Sequence, residues 1–430
     1  MKIYPNVFKG LGKLEPEHHI EIKEDSTPVI HASRKIPATL REKVKKELDE
    51  MEKAGVIVKV DEPSDWVNSL VVVEKPDGNL RLCLDPRNLN KVVKREHYQL
   101  PTFEEISSRL AGARYFSKLD ANKGYWQIPL DEASSILTVF GTPFGRYRFT
   151  VLPYGLHSAQ EVYHKRITHH FDGIEQVETD IDDFLAWGKE HSDHDVSLIK
   201  CLDKAESIGI TMNIDKCQFR QTELVYLGHK LSTDGVWADE SKIKAIVDMP
   251  TPTDKKAVQR LMGMLNYLAK FLPNISEVTE PLRNLMKKNT EWCWTKIHNE
   301  SFQNIKKLLT SNKCLAYYDV TKPVVLQVDA CNTGLGAVLL QDERPVAYAS
   351  KALTATQAGY VIMEKELLAV IFGCEKFHQY IYGKKVQIYS DHKPLESIMK
   401  KPLANAPARL QRMLLRLQRY DINVTYKEGK

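Results

Sequence analysis

The sequence lacks the features of a secreted or membrane-spanning protein. Its first residues contain no apolar signal-peptide segment, and its longest apolar runs, such as residues 367–374, are far too short to cross a bilayer. Its seven cysteines are odd in number, scattered and without a Cys-x-x-Cys pair, which argues against a disulfide framework or a zinc site. We therefore expect an intracellular protein with free thiols and no membrane partner.

A large excess of charge of either sign is absent as well. The 61 Lys and Arg residues against 56 Asp and Glu residues give a formal net charge of +5, which permits a polyanionic partner without requiring one. The length of 430 residues suffices for about two to four domains, and 43% hydrophobic residues are typical of a folded chain. Charge alone therefore does not identify the partner.

The most informative feature that is present is the acidic pair Asp182 and Asp183, which lies in an otherwise apolar, hairpin-like segment, residues 177–187. Adjacent acids are common on solvated surfaces, but apolar neighbours predict burial, and buried carboxylates stay ionised only beside cations or metal ions. Upstream, the strand-like residues 115–120 end in a third acid, Asp120. The three acids together predict a two-metal site for phosphoryl transfer.

Hydrophobic spacing predicts the elements before this site. A helix is expected over residues 38–54, where Thr39 and Glu42 form a capping-box pattern at its start. Two strand-like runs, residues 69–74 and 79–85, flank a Pro-Asp-Gly turn, so we expect a hairpin there.

The hydrophobic spacing changes after the predicted metal site. Pro250 and Pro252 interrupt this spacing, so we place a domain boundary near them and expect a helix over residues 255–271. Beyond residue 323 the order of elements is that of a separate α/β domain. We expect strands at 324–329, 336–340 and 346–349, one long helix at 354–382, and a strand at 386–390.

Six short motifs follow one another along the chain. They are Trp66-Val67-Asn68-Ser69, Lys75-Pro76-Asp77-Gly78, Arg81-Leu82-Cys83-Leu84-Asp85-Pro86-Arg87-Asn88-Leu89-Asn90, Phe116-Ser117-Lys118-Leu119-Asp120, Leu152-Pro153-Tyr154-Gly155-Leu156 and Tyr226-Leu227-Gly228-His229. In this order they resemble the reverse transcriptase of Gypsy-type LTR retrotransposons, over essentially the whole chain. The resemblance implies an α+β fold: a right-handed palm polymerase with fingers, palm and thumb, a helical connection, and a C-terminal RNase H-like α/β domain.

The same resemblance implies domain bounds and partners. We expect an N-terminal segment and fingers helix in residues 1–60, fingers and palm in 61–235, thumb and connection in 236–320, and the RNase H-like domain in 321–430. The implied partners are an RNA template, a DNA primer, dNTPs and an RNA–DNA hybrid. The implied location is the cytoplasm, in a virus-like particle, with the nucleus as a second location.

By resemblance, the acids and two basic residues receive roles in polymerisation. Asp120 and Asp182 would hold two Mg2+ ions, with Mn2+ as an alternative, and Asp183 would assist. Lys75 and Arg81, on the two arms of the expected hairpin, would contact the triphosphate. A solvated hairpin remains the alternative interpretation of these two residues.

The resemblance also assigns a nucleotide pocket and a primer contact. Tyr125 would stack under the incoming sugar and exclude a 2′-hydroxyl, although a core aromatic is the alternative. Tyr154 and Gly155 would line the pocket, where glycine allows a close backbone approach. Lys216 would protonate the pyrophosphate, with a plain exposed lysine as the simpler interpretation. The implied primer-binding turn is Leu227, Gly228 and His229.

The chain departs from the family pattern at two places. Asp180 stands where many reverse transcriptases carry Tyr, and Gln160-Glu161 stands where Pro-Ala is common. Asp180 adds a third negative charge close to the metal-binding acids. A decayed or domesticated nucleic-acid-binding protein, which keeps the fold without catalysis, therefore remains the alternative function. A DNA-templated polymerase is a second alternative.

Three further acids predict a second metal site. Asp329 and Asp391 end expected strands, and Glu366 lies on the expected helix, so that their carboxylates can converge. They resemble the metal-binding acids of the RNase H of the same retroelements, which cuts the RNA strand of an RNA–DNA hybrid. Glu366 is preferred because it opens a Glu-Leu-x-Ala sequence as in the family, whereas Glu364 is interpreted as a solvated acid.

Relatives supply a fourth acid shortly after the segment that matches residues 422–430, and the 430-residue chain stops before it. We therefore expect an RNase H domain impaired by truncation, in a chain that is part of a larger polyprotein.

Overall fold

The computed structural model describes residues 4–74, 78–311, 313–400 and 406–428. They form two compact units, one of Met1–Ile106 with Ala113–Thr222 and one of Ser107–Gly112 with Glu223–Lys430. In the part of the chain that is described, every helix is too short or too polar to cross a membrane.

The first unit contains nine strands and helices of up to 18 residues among its described residues. In chain order they are α1 Arg41–Lys53, β1 Ile57–Lys59, β2 Ser69–Glu74, β3 Leu80–Asp85, α2 Leu89–Val92, α3 Phe103–Arg109, β4 Tyr115–Asp120, α4 Glu132–Leu137, β5 Phe140–Thr142, β6 Gly145–Phe149, α5 Ala159–Phe171, β7 Val177–Asp180, β8 Asp183–Gly188, α6 His191–Ile208 and β9 Gln218–Gln221. The last residues of α3 fall within the second unit.

The central sheet of this unit has the strand order β7-β8-β4-β9, and its pairs are antiparallel. Helices α5 and α6 pack against it. Its apolar residues Leu119, Phe184 and Leu185 are fully buried, and β8 is buried on both faces. The expected hairpin around the acidic pair is confirmed as β7–β8.

A second hairpin, β2–β3, is also confirmed, with Val72 opposite Leu82. Residues 75–77 of the turn that joins its strands, and with them Lys75, lie outside the described residues. Helix α1 is confirmed, but the predicted capping box is wrong. Leu40 is the N-cap and has no side-chain capping bond, because the chain enters α1 through a 3-10 turn, Ala38–Leu40, that already includes Thr39.

The second unit begins with a three-stranded sheet, continues with helices and ends with a five-stranded sheet. Its elements are β10 Glu223–Tyr226, β11 His229–Ser232, β12 Gly235–Ala238, α7 Glu240–Val247, α8 Lys255–Leu268, α9 Ile275–Val278, α10 Glu280–Leu285, α11 Lys296–Thr310, β13 Val324–Ala330, β14 Gly334–Gln341, β15 Arg344–Ala352, α12 Ala355–Ala358, α13 Ile362–Lys376, α14 His378–Ile381, β16 Lys385–Ser390, α15 Pro394–Lys400, α16 Ala408–Leu417 and β17 Asp421–Tyr426.

The five-stranded sheet has the order β15-β14-β13-β16-β17, with β16 parallel to both β13 and β17. The predicted order of three strands, helix and strand is confirmed, and α13 packs on β13 and β14. The single long helix was wrong: three helices replace it, because the chain turns at Gly359 and again at Phe377. Strand β17 was not predicted.

Candidate active sites

Strand pairing brings the three acids of the first unit to one end of the central sheet. Asp120 at the end of β4 lies opposite Asp183 at the start of β8, which in turn lies opposite Asp180. Asp182 occupies the turn, and its carbonyl accepts a hydrogen bond from the Ala121 N–H at 2.7 Å. The sheet therefore places four acidic residues together.

Two lysines neutralise part of this charge. Lys216 Nζ donates to both carboxylate oxygens of Asp120, at 2.9 and 3.1 Å, and Lys118 Nζ lies 3.0 Å from Asp183 Oδ2. Among the described residues no cation forms such a pair with Asp182, and its buried Oδ1 has no hydrogen-bond partner. Burial, then Asp120 and Asp183, raise the pKa of Asp182 to about 6. Burial also raises the pKa of Asp180, and Asp183 adds to that rise.

This site suits a divalent cation. The atoms that could bind a metal here are carboxylate oxygens, the ligands that Mg2+ and Mn2+ prefer. The unpartnered Asp182 Oδ1 is the kind of buried acceptor that normally has a partner, and a cation would supply one.

The backbone of the turn is strained. Ile181 has φ of +51°, a left-handed conformation that is rare for a β-branched residue and costs on the order of 1–3 kcal/mol. Its N–H donates to His164 Nδ1 at 3.2 Å, and His164 lies on α5. A helix side chain thus holds the peptide between Asp180 and Ile181, where the chain enters the turn.

The predicted nucleotide-binding residues Arg81, Tyr125 and Tyr154 come together in the structure. The Arg81 guanidinium carbon lies 5.2 Å from the centre of the Tyr154 ring, and the Tyr125 and Tyr154 rings are 5.0 Å apart. Burial, with a contribution from Asp182, raises the pKa of Tyr125 to about 12. Gly155 has φ of +109°, and an added Cβ would lie 1.8 Å from the Leu84 carbonyl oxygen, so only glycine fits.

Gly124 and Tyr163 crowd the Asp182 carboxylate. A Cβ on Gly124 would lie 2.1 Å from Asp182 Oδ1 and 2.8 Å from the Tyr163 hydroxyl oxygen. Tyr163 is fully buried, and its hydroxyl has no hydrogen-bond partner in the part of the chain that is described. The absent side chain of Gly124 therefore leaves the space that Asp182 occupies.

The predicted primer-binding residues form the tight turn between β10 and β11, in the second unit. Leu227 and Gly228 both have positive φ, +48° and +70°, as two-residue hairpin turns require. The Tyr267 hydroxyl lies 3.1 Å from the Leu227 carbonyl oxygen, and the His229 and Tyr267 rings stack at 5.7 Å. Sequence reasoning missed Tyr267, which is 40 residues away along the chain.

The three acids predicted for the second metal site lie close together in the structure. One carboxylate oxygen each from Asp329, Glu366 and Asp391 lies within 4.8 Å of the other two. Glu366 is buried, and Ser390 Oγ donates to it at 3.3 Å. Burial, then Asp391 and Asp329, raise the pKa of Glu366 to about 7. Three acids at this spacing repel one another unless a proton or a cation lies between them.

Glu364 takes no part in this group. Both its carboxylate oxygens accept from Arg409 Nη1, at 3.0 and 2.9 Å. The expectation of a solvated acid was therefore wrong, because the arginine of α16 pairs with it.

Two family models match the chain. The model for reverse transcriptase (RNA-dependent DNA polymerase) matches residues 73–231, and the model for the RNase H-like domain found in reverse transcriptase matches residues 319–420. Two parts of the chain therefore match, in this order, a reverse transcriptase domain and an RNase H-like domain.

Curated relatives are transposon polyproteins. The Pol polyprotein of the transposon opus of Drosophila melanogaster is 32% identical over 99% of this chain and 45% of its own length. The transposon Tf2-3 polyprotein of Schizosaccharomyces pombe is 28% identical over 99% of this chain and 32% of its own length. The chain is similar to these transposon polyproteins, and it spans about half of their length or less.

Solved structures agree in fold. The foamy viral protease-reverse transcriptase in complex with double-stranded DNA superposes with a TM-score of 0.90 at 23% identity, over 100% of this chain and 92% of that one. Its complex with an RNA/DNA hybrid gives a TM-score of 0.83 at 23% identity, over 100% of this chain and 60% of that one. The palm-polymerase fold with a helical connection and an RNase H-like domain is confirmed.

Proposed function

We propose that the chain is an RNA-directed DNA polymerase that extends a DNA primer on an RNA template with dNTPs. Asp120, Asp182 and Asp183 are its metal-binding residues, for Mg2+ or alternatively Mn2+. Bound there, two ions would activate the primer 3′-hydroxyl and carry the triphosphate. The placement of these three acids at one end of the sheet, with the Asp182 Oδ1 that is buried and has no hydrogen-bond partner among the described residues, is the observation that supports this proposal most strongly.

The other predicted residues receive substrate-binding roles in the same proposal. Arg81, and Lys75 by its place in the sequence, bind the triphosphate, while Tyr125, Tyr154 and Gly155 shape the pocket for the sugar. Lys216 donates a proton to the leaving group. Leu227, Gly228 and His229 bind the primer. We keep residues 1–60, 61–235, 236–320 and 321–430 as the proposed divisions of the chain.

We further propose that Asp329, Glu366 and Asp391 bind divalent metal for hydrolysis of the RNA strand of an RNA–DNA hybrid. Among the described residues this group has three acids. Asp329, Glu366 and Asp391 would give two divalent ions few protein ligands, so we expect the 430-residue polypeptide to cleave a hybrid weakly.

The polymerase proposal is tested by primer extension. A labelled DNA primer on an RNA template is incubated with the chain, dNTPs, and Mg2+, Mn2+ or a chelator, and hybrid binding is followed in parallel by fluorescence anisotropy. We expect extension with metal and none with chelator. Tight hybrid binding with no extension under either metal would instead favour a binding protein without catalysis, the alternative that Asp180 suggests.

The second site is tested by metal binding rather than by cleavage, because cleavage is expected to be weak. Mn2+ should raise the melting temperature of the parent and of Glu364→Gln, but less that of Glu366→Gln, since only Glu366 belongs to the acidic group. The rise should be larger at pH 8 than at pH 6, because metal displaces the proton that the raised pKa of Glu366, about 7, retains.

Two results would contradict this assignment. An equal Mn2+ shift in both variants would remove Glu366 from the metal site. Fast cleavage of a labelled RNA–DNA hybrid by the 430-residue polypeptide would show that three acids suffice.

A further inference from the structure

His164 makes a contact that none of the roles assigned above uses. It lies in the middle of α5, is 1% exposed, and accepts the Ile181 N–H at Nδ1, 3.2 Å away. Ile181 is the residue with the strained positive φ, and it directly precedes the two acids Asp182 and Asp183. A buried histidine thus holds the strained peptide of the metal-binding turn.

The chemistry of the ring fits an acceptor at Nδ1. An imidazole nitrogen accepts only while it carries no proton, and the proton of the neutral ring then lies on Nε2. Nε2 faces the Thr168 hydroxyl at 3.4 Å, and burial lowers the pKa of His164, which favours the neutral ring.

The turn is held from two sides. On one side the Asp182 carbonyl accepts from the Ala121 N–H of the chain that follows β4. On the other side the Ile181 N–H donates to His164. These two bonds hold the Asp180–Ile181 peptide and the Asp182–Asp183 peptide, which enclose the two-residue turn, and therefore restrict the direction in which the Asp182 side chain leaves the backbone.

We propose that His164 is a positioning residue of the polymerase site, whose Nδ1 holds the Ile181 peptide so that Asp182 and Asp183 point to a common metal site. The inference rests on the proposed polymerase function. The competing role is simple packing, since the His164 ring also lies 5.7 Å from the Tyr98 ring. A packing role requires only a side chain of similar volume at position 164. A positioning role requires a hydrogen-bond acceptor near the place of Nδ1.

Three substitutions separate these roles. His164→Leu keeps volume but removes the acceptor. His164→Asn can place its amide oxygen near the position of Nδ1, and His164→Gln places its amide group near that of Nε2. Thr168→Val removes only the partner of Nε2 and serves as the control for changes at the far side of the ring.

We expect His164→Leu to lower kcat for primer extension about tenfold, as loss of one neutral hydrogen bond would, and to raise the half-saturating Mg2+ concentration with KM for dNTP little changed. His164→Asn should recover most of the loss, His164→Gln less, and Thr168→Val should behave as the parent. A leucine variant with parental kcat and Mg2+ requirement, or a rescue by Gln equal to that by Asn, would overturn the inference.

A second measurement does not depend on activity. Hydrogen exchange of a peptide that covers residues 177–187 should be faster in His164→Leu than in the parent and should return towards the parental rate in His164→Asn. Unchanged exchange would overturn the positioning role even if extension fell. If the parent itself did not extend a primer, the proposed function would fail, and exchange would still decide whether His164 holds the turn.

Discussion

Replacing Asp182 by asparagine is expected to lower the rate of primer extension by at least about a thousandfold, since metal-bound carboxylates contribute several kcal/mol of transition-state stabilisation. Asparagine keeps the shape of the side chain but removes its negative charge. The Oδ1 atom at this position is buried and has no hydrogen-bond partner among the described residues. Single-nucleotide incorporation at saturating dNTP measures the loss. Asp180→Asn, the matched acid on the neighbouring strand end, should retain most of the activity.

Folding provides the control for this substitution. Burial, Asp120 and Asp183 raise the pKa of Asp182 from 3.8 to about 6, so the folded chain holds this proton more tightly than the unfolded chain. Ionisation of Asp182 therefore opposes folding above about pH 6, and this penalty disappears as the pH falls towards 3.8. Because asparagine does not ionise, the melting temperature of Asp182→Asn should exceed that of the parent at pH 7 without metal, and the two should converge near pH 4. A variant that melts well below the parent at pH 7 would mean that lost activity reflects misfolding.

Gly124→Ala is expected to reduce primer extension about a hundredfold, the loss typical of a displacement of about 1 Å in a catalytic group. The backbone of Gly124 accepts alanine, but the new Cβ would lie 2.1 Å from Asp182 Oδ1 and 2.8 Å from the ring of Tyr163. Tyr163 is fully buried and has little room to move, so the shift falls mainly on Asp182. The half-saturating Mg2+ concentration should rise together with the fall in kcat.

Gly263→Ala is the matched control. Gly263 lies in α8, where an added Cβ meets nothing within 4 Å, so this variant should keep its activity and gain a little helix stability. Parental extension by Gly124→Ala would show that Asp182 can move without loss, and would weaken the assignment of Asp182 as a metal-binding residue.

The sequence was sufficient to predict the elements that carry the acids. Short apolar runs around Asp120 and Asp182 predicted strands and a hairpin, and antiparallel pairing then leaves little freedom in where their ends meet. The order of strands and helix around Asp329 and Glu366 was predicted from apolar segments in the same way. The length of such a segment and the turn residues at its ends indicate a buried strand.

The residues that support the sites could not be predicted in this way. His164 is one polar residue on a helix, 17 residues from the peptide that it binds, and no period connects the two. Tyr267 reaches the turn at Leu227 only through tertiary packing. The break of the predicted long helix at Gly359 is different, because glycine disfavours a helix interior and gave a local signal that the prediction overlooked.

The outer strand β15 of the five-stranded sheet affects how the polypeptide folds during synthesis and which of its fragments stay dispersed. Strand β15 is an outer strand, yet the 3-10 turn Ala269–Phe271 and helix α9 pack against it, and the Ser276 N–H donates to Ser350 Oγ at 3.0 Å. The 3-10 turn and α9 precede β15 in the chain. During synthesis they therefore leave the ribosome before the outer strand against which they pack. A fragment that begins at residue 319 would expose that edge, and we expect it to self-associate, whereas one that begins at residue 223 would stay dispersed.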